Sequence, residues 1–251
     1  MFGVLRYESV ADQARIIALT RCAQGYALAS ISGKDGRARA RRKPASAAPQ
    51  KKAPAARNWV RIVGGEWRGR RIRFPSAAEL RPTPDRVRET LFNWLQSRIA
   101  GARCLDLFAG SAALGLEALS RGAESALFVE RDPSIAAAIR ANLAELRATR
   151  GRLIEGEARA FLDGVATPFD VVFLDPPFAA GGLGELCKLL EARGWLAPDA
   201  FIYLEFAARS KEPELPAGWT PWRETRAGEV RGLLARRQNP GPTSDERVDA
   251  T

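Results

Sequence analysis

From Arg103 onward, short apolar segments alternate with amphipathic ones, and this alternation limits the possible folds more than any other feature of the chain. The apolar segments predict strands at residues 103–108, 125–130, 152–155, 169–174 and 200–205. The amphipathic segments predict helices at residues 112–121, 133–148, 158–164 and 183–193. Repeated strand–helix–strand units form a parallel sheet with helices on both faces. The sequence therefore predicts an open α/β sheet.

Two segments near the C-terminus break this alternation. Residues 219–226 and 229–236 lie on either side of Gly228 and have the spacing of two strands joined by a tight turn. We predict that they form an antiparallel hairpin that completes a seven-stranded, mostly parallel sheet. Residues 239–251 are predicted to be a disordered tail.

A smaller module is predicted ahead of the sheet, within residues 58–100. Residues 60–63 and 67–74 predict two strands around a glycine turn. A helix is predicted from about residue 84 to about residue 99, with Thr83 as its N-cap and Pro84 at its first position. The sequence thus predicts a β-hairpin and helix extension before a sheet domain at residues 101–238.

Positive charge is concentrated in the N-terminal part of the chain. The net charge is +10. Residues 1–57 hold 12 Lys and Arg against 3 Asp and Glu, and residues 58–100 hold 9 against 4. Residues 101–251 are mildly acidic. This asymmetry suggests a polyanionic partner, although residues 1–57 also fit a solvated, disordered basic extension.

Composition excludes several kinds of chemistry. The chain has no histidine, which removes histidine general bases, Ser-His-Asp triads and most zinc sites. Its three cysteines, Cys22, Cys104 and Cys187, are far apart and form no metal-ligand pair. We expect no metal and a reducing, cytoplasmic environment. No apolar run approaches the roughly 18 residues that would suggest a membrane span.

The strand at 169–174 ends in an unusual tetrapeptide, Asp175-Pro176-Pro177-Phe178. Each proline fixes φ, lacks an N–H group and restricts the residue before it to extended conformations. The result is a rigid turn that presents a carboxylate, backbone carbonyl groups and an aromatic ring. These groups can bind a planar ligand that carries an NH₂ group.

The first strand of the sheet opens into a loop of small residues. Asp106 lies at the end of this strand, and Gly110 and Ser111 lie in the loop that follows. The loop lacks both the dinucleotide-binding glycine pattern and the P-loop lysine, so phosphate binding is not indicated. Glu130 ends the next strand about 20 residues later, where an acidic side chain can bind both ribose hydroxyls. The alternative for Glu130 is a cap on the helix that begins near Pro133.

These motifs together resemble a class I S-adenosylmethionine-dependent methyltransferase, with its Rossmann-like fold. The resemblance is closest to the bacterial small-subunit ribosomal RNA guanine-N2 methyltransferase family often called RsmD. It rests on five segments within residues 59–238, at residues 61–65, 81–94, 105–111, 114–118 and 175–178. The Asp-Pro-Pro-Phe segment alone is shared with DNA amino-methyltransferases. Two positions depart from the family pattern, because Ala112 replaces the usual glycine and Glu157 the usual asparagine.

The resemblance implies S-adenosylmethionine as cofactor and 16S ribosomal RNA as partner, in an assembled or assembling small subunit, with the enzyme acting as a monomer. The implied methyl acceptor is the exocyclic N2 of one guanine. The implied catalytic residues are Asp175, Pro176, Pro177 and Phe178. The implied cofactor-binding residues are Asp106, Phe108, Gly110, Ser111, Leu114, Glu130, Arg131, Glu157 and Ala158.

Six arginines of the basic module are candidates for RNA phosphate contacts, with surface ion pairing as the alternative. They are Arg70, Arg71, Arg73, Arg81, Arg86 and Arg88. Two other functions remain open at this stage. One is methylation of adenine N6 or cytosine N4 in DNA, and the other is ribosome assembly through RNA binding without catalysis.

Overall fold

A seven-stranded sheet forms the centre of the computed structural model, which describes residues 58–75, 83–177 and 182–238. The elements in chain order are β1 (Trp59–Arg61), β2 (Arg71–Arg73), α1 (Asp85–Trp94), β3 (Arg103–Asp106), α2 (Ala113–Ser120), β4 (Ser125–Glu130), α3 (Pro133–Glu145), β5 (Gly151–Glu155), α4 (Ala158–Leu162), β6 (Phe169–Leu174), α5 (Leu183–Ala192), β7 (Leu196–Ala207), β8 (Trp219–Ala227) and β9 (Val230–Arg237). The predicted extension at 1–57 and tail at 239–251 lie outside the described residues.

The sheet has the order β5-β4-β3-β6-β7-β9-β8. Strands β3 to β7 are parallel, whereas β9 pairs antiparallel with both β7 and β8. The predicted α/β fold with a C-terminal hairpin is therefore confirmed. The chain builds outward from β3 to β5 and then returns to β6, so the topological switch lies between β3 and β6.

The hairpin β1–β2 and helix α1 pack on the same hydrophobic core as the sheet. Leu91 and Phe92 of α1 are fully buried, and the Phe92 ring lies 5.9 Å from the ring of Phe173 in β6. Strand β2 is shorter than predicted because residues 66–69 form turns ahead of it. The described residues belong to one compact unit, and none of their helices is long and apolar enough to cross a membrane.

A buried ion pair joins the N-terminal module to the sheet domain. The guanidinium of Arg88 in α1 is fully buried, donates to the carbonyl of Arg61 over 2.8 Å, and lies 3.4 Å from the Glu117 carboxylate in α2. Glu117 also accepts from the backbone N–H groups of Val63 and Gly64, at 2.8 and 2.7 Å. Because every one of these contacts is long-range, α1 and the hairpin are fixed relative to the sheet. We call this group the Arg88–Glu117 cross-link.

The start of α1 differs from its prediction. Pro84 occupies the N-cap position and no side chain caps the helix, so the predicted N-cap role of Thr83 is wrong. The Thr83 side chain is buried, and its hydroxyl oxygen lies 3.3 Å from a carboxylate oxygen of Asp175 instead. The helix ends at Trp94, earlier than predicted, and the chain continues in turns. The Thr83 side chain therefore contacts Asp175, which is distant in sequence, instead of capping the helix.

Candidate active site

Two acidic residues meet at the topological switch. Asp106 is the last residue of β3, and Asp175 directly follows β6, the strand hydrogen-bonded to β3. The register pairs Asp106 with Phe173, so both acidic residues lie at the carboxyl edge of the sheet. In open α/β sheets, ligands bind in the crevice at this edge. The sequence prediction that the two motifs share one site is consistent with this placement.

Asp106 is buried, and a helix start fixes its orientation. Its Oδ2 atom accepts a hydrogen bond of 3.0 Å from the backbone N–H of Gly115 in α2. Burial, with a smaller contribution from the charge of Glu130, raises the pKa of Asp106 to about 7 against the lowering effect of the Gly115 hydrogen bond. A cationic ligand would reverse this effect because it stabilises the ionised carboxylate.

Glu130 connects the end of β4 to the glycine loop. Its two carboxylate oxygens accept hydrogen bonds from the backbone N–H groups of Gly110 and Asp132, at 2.9 and 2.8 Å. It does not cap the following helix, because Asp132 is the N-cap of α3 and accepts from Ser134 and Ile135. The alternative for Glu130 is therefore wrong. Each carboxylate oxygen retains a lone pair for a further donor such as a ribose hydroxyl.

Ala112, one of the two departures from the family pattern, has a left-handed backbone with φ of 60° and ψ of 18°. Glycine adopts this region without steric cost, whereas alanine does not. Its methyl group is fully buried within the hydrophobic core. The alanine at this position therefore carries local backbone strain. Gly110 in the same loop also has a positive φ, of 49°.

The other predicted cofactor residues lie along the same edge of the sheet. Arg131 and Glu157, which follow β4 and β5, form an exposed ion pair of 3.8 Å. Phe108 is half-buried in the loop after β3. Ser111, Leu114 and Ala158 are buried, with 4–7% of their surface exposed.

Asp175 follows β6 and is held by a hydroxyl group. The Thr83 side chain donates to its Oδ2 atom over 3.3 Å. Burial of the carboxyl group raises the pKa of Asp175 well above its usual value, and the charges of Glu205 and Asp106 add to that effect. Pro176 is buried and Pro177 is exposed, whereas Phe178 lies outside the described residues. Asp175 is therefore a carboxyl group in a poorly solvated setting at the mouth of the crevice.

We call the segment Asp175-Pro176-Pro177-Phe178 the elbow. A cavity of about 220 Å³ adjoins its two prolines. The residues that line it come from the elbow, the start of α5, the end of β7 and the following loop, and are Pro176, Pro177, Gly182, Leu183, Gly184, Glu205, Phe206, Ala207, Ser210, Lys211 and Pro213. Glu205 was not among the predicted site residues. The signal for it was present in the sequence, because an acidic residue interrupts the apolar run of residues 200–206.

The predicted RNA-binding arginines divide into two groups. The prediction for Arg88 is wrong, because its guanidinium is fully buried in the Arg88–Glu117 cross-link. The exposed members are Arg70, Arg71, Arg73 and Arg86, and Arg81 lies outside the described residues. Arg70 pairs with Glu145 at 3.3 Å, and the Arg71 guanidinium lies 4.4 Å from the centre of the Trp59 ring.

The strand order and the acidic groups at the carboxyl edge define a class I S-adenosylmethionine-dependent methyltransferase. The model of a family described as "Conserved hypothetical protein 95" matches residues 60–235. The chain belongs to this family, together with the ribosomal RNA small subunit methyltransferase D proteins.

Three similar proteins illustrate this relationship. Ribosomal RNA small subunit methyltransferase D of Escherichia coli K12 is 49% identical over 182 residues, which cover 72% of this chain and 92% of the relative. The Haemophilus influenzae protein of the same name is 42% identical, over 70% of this chain and 93% of the relative. The solved structure of yhhF from Escherichia coli is 47% identical, covers 72% of this chain and 99% of its own, and gives a TM-score of 0.68.

Proposed function

We propose that the protein transfers a methyl group from S-adenosylmethionine to the exocyclic N2 of a guanine in small-subunit ribosomal RNA. The observation that carries this proposal is the placement of Asp175 beside Asp106 across β3 and β6. One acidic group then faces the amine that is methylated, and the other faces the cofactor. The curated relatives are named ribosomal RNA small subunit methyltransferase D, which supports the RNA substrate.

The residues of the loop fit the proposed cofactor. Asp106 is a buried acid suited to a cation, and Glu130 retains acceptor capacity for a diol. The small residues Gly110 and Ala112 permit close approach of a ligand to the backbone. We propose that Phe108, Ser111, Leu114, Arg131, Glu157 and Ala158 complete the site. When bound, the cofactor supplies an electrophilic methyl group on a sulfonium leaving group.

Asp175 would activate the guanine amine without acting as a strong base. The lone pair of an aryl amine is delocalised into the ring, and two acceptors draw the nitrogen toward a tetrahedral geometry. The Asp175 carboxylate and the Pro176 carbonyl would be those acceptors, and neither Pro176 nor Pro177 has a backbone N–H to act as a donor there. Thr83 orients the carboxylate through its 3.3 Å hydrogen bond. Phe178 would stack on the flipped base, a contact of about 1–3 kcal/mol.

The RNA phosphates would be bound by the exposed arginines of residues 58–100. Arg71 and Arg73 lie on the exposed face of β2, where the burial pattern alternates. We expect the double substitution Arg71→Glu and Arg73→Glu to weaken RNA binding and to reduce the salt slope by about one unit per lost contact. Filter binding between 50 and 200 mM salt measures this slope. Arg193→Glu, at an arginine that pairs with Asp163, is the control.

The proposed function is tested with the purified enzyme and isolated small ribosomal subunits from a strain that lacks it. We expect N2-methylguanosine at one position of the 16S RNA after incubation with S-adenosylmethionine, detected by mass spectrometry of nuclease digests. Duplex and single-stranded DNA in the same assay should remain unmodified. Methylation of DNA adenine or cytosine would instead support the alternative substrate. Binding to the subunits without any methylated product would indicate an assembly factor.

A further inference from the structure

A second buried carboxyl group lies beside the elbow. The register of β6 and β7 pairs Leu174 with Leu204, so the next residues, Asp175 and Glu205, occupy adjacent positions on neighbouring strands. Glu205 is only 3% exposed, yet it lines the cavity next to Pro176 and Pro177. Burying a carboxyl group is costly unless it has hydrogen-bond donors. A carboxyl group at this buried position indicates a role that an apolar side chain could not supply.

Glu205 is held from behind by a tyrosine. The Tyr203 hydroxyl donates to the Oε2 atom of Glu205 over 3.0 Å. Gly232 of β9 pairs with Glu205, and a side chain there would collide with the Tyr203 ring and hydroxyl. A carboxylate has about four acceptor positions, so this one hydroxyl leaves capacity for a ligand.

The cavity in front of Glu205 suits one planar base. Its volume is about 220 Å³, below the roughly 300–1,000 Å³ of sites for larger ligands. Pro176 and Phe206 provide apolar walls, and Lys211 provides a cation on the same lining. The cavity therefore offers an acceptor, a cation and flat apolar surfaces next to the residue that would hold the reactive amine.

We infer that Glu205 reads the identity of the target base by accepting the N1–H of guanine while Asp175 holds the adjacent N2 amine. This inference rests on the proposed function. Guanine presents two neighbouring donors, N1–H and N2–H, which match two neighbouring carboxyl groups. Lys211 is then suited to the O6 carbonyl on the far side of N1. The two carboxyl groups and the lysine are thus complementary to the O6, N1–H and N2 edge of guanine.

Adenine and cytosine do not match this arrangement of hydrogen-bonding groups. Both have an amine, but the ring nitrogen next to it is an acceptor rather than a donor. That lone pair would face the Glu205 oxygen and leave this oxygen without the donor that guanine N1–H supplies. A site built around a hydrogen bond rejects analogues that lack it, because the buried group is left unpaired. Glu205 thus separates the proposed guanine reaction from the adenine and cytosine alternatives that share the Asp-Pro-Pro elbow.

The experiment compares guanine with 2-aminopurine, which keeps the 2-amino group but lacks both the N1 hydrogen and the O6 carbonyl; the Glu205→Gln variant then isolates the contribution of the N1 hydrogen. Mass mapping first locates the guanine that the wild-type enzyme methylates. Small subunits are then reconstituted with either base at that position. Since a hydrogen bond to a charged group contributes about 1.5–3 kcal/mol, the wild-type enzyme should prefer guanine by about 10–100-fold in kcat/KM. Glu205→Gln should lose most of this preference through its lower rate with guanine.

Two variants and two readouts control for trivial effects. Glu214→Gln, at an exposed residue paired with Lys188, should behave as wild type. Tyr203→Phe should give an intermediate preference, since it removes the donor behind Glu205. Cofactor affinity and thermal unfolding should be unchanged in Glu205→Gln. Equal loss with both bases, or an unchanged preference, would overturn the inference alone. A wild-type product other than N2-methylguanine would refute the proposed function as well.

Discussion

The two sides of the topological switch hold their carboxyl groups with different donors. On the side of β3 and β4, Asp106 and Glu130 accept hydrogen bonds from backbone N–H groups. On the side of β6 and β7, Asp175 and Glu205 accept from side-chain hydroxyls. A backbone donor is fixed by the fold, whereas a hydroxyl rotates and can change partner. The first side is therefore preorganised for one ligand, and the second can exchange donors when a base enters.

The largest effect is expected on the hydroxyl-held side. Asp175→Ala removes an acceptor that acts on the reacting amine, so the methyl-transfer rate should fall by about 10²–10⁴-fold. The affinity for S-adenosylmethionine should stay within about threefold, because the backbone-held side is untouched. Single-turnover assays and calorimetry measure the two quantities. Unchanged turnover would defeat the mechanism, and a large loss of cofactor affinity would show that the two sides are not separable.

On the backbone-held side, we expect Glu130→Ala to weaken cofactor binding by about 10–100-fold, since hydrogen bonds to a charged group contribute about 1.5–3 kcal/mol. Calorimetric titration measures the change. Asp132→Ala is the matched control, because it removes the N-cap of α3 and should cost about 1 kcal/mol of stability without a similar loss of affinity. Equal losses of affinity in both variants would assign the effect of Glu130 to loop structure.

The pH dependence of cofactor binding is a further test of the side formed by β3 and β4. The pKa of Asp106 is raised to about 7, so its carboxylate forms as the pH rises through neutrality. Affinity for a cationic ligand should therefore increase by up to about tenfold between pH 6 and pH 8. The same ionisation destabilises the unliganded fold progressively from about pH 4 to pH 7, because the folded protein holds that proton more tightly than the unfolded chain. Asp106→Asn should flatten both profiles, and a pH-independent wild-type affinity would contradict this assignment.

The smallest effect concerns the strained loop residue. Ala112→Gly relieves a left-handed backbone conformation that costs about 1–2 kcal/mol, but it also removes a buried methyl worth about 0.8 kcal/mol. We expect the free energy of unfolding, measured by thermal denaturation, to rise by no more than about 1 kcal/mol. Arg147→Gly, at an exposed residue with φ of 53°, has no buried methyl to lose and should gain at least as much. Destabilisation of Ala112→Gly alone would show that packing outweighs strain.

Local patterns were sufficient to predict the strands, the helices and the acidic residues at strand ends. Apolar runs and their spacing are properties of consecutive residues, and the carboxyl ends of parallel strands necessarily share an edge. The partners of polar side chains were not predictable in this way. Thr83 follows a helix-capping pattern, yet its partner Asp175 is 92 residues away. Arg88 has the sequence context of a surface arginine, but it is buried against Glu117, 29 residues away.

Glu205 is a further residue whose surroundings could not be predicted from the local sequence. Sequence reasoning placed residues 200–205 in a strand and passed over its one acidic member. Whether such a residue points to solvent or into a cavity depends on which strands flank it. Here β7 is hydrogen-bonded to β6 on one side and to β9 on the other. Because β6 leads directly into the elbow, Glu205 at the end of β7 lies beside it. The position of a strand in the sheet order was the missing information.

The Arg88–Glu117 cross-link has a consequence for protein engineering and for divergence within the family. Glu117 belongs to the helix that follows the cofactor loop, while Arg88, Val63 and Gly64 belong to the basic module. Removing one member leaves a buried charge with a single ion-pair partner, Asp85 for Arg88 at 2.6 Å or Arg121 for Glu117 at 2.8 Å. The cost should therefore stay below the roughly 3–5 kcal/mol of a fully unpaired buried charge. The basic module, residues 58–100, is therefore not a unit that can be transferred on its own. A chimera that exchanges residues 58–100 with a relative must carry a compatible residue at position 117, so the two segments are constrained to change together.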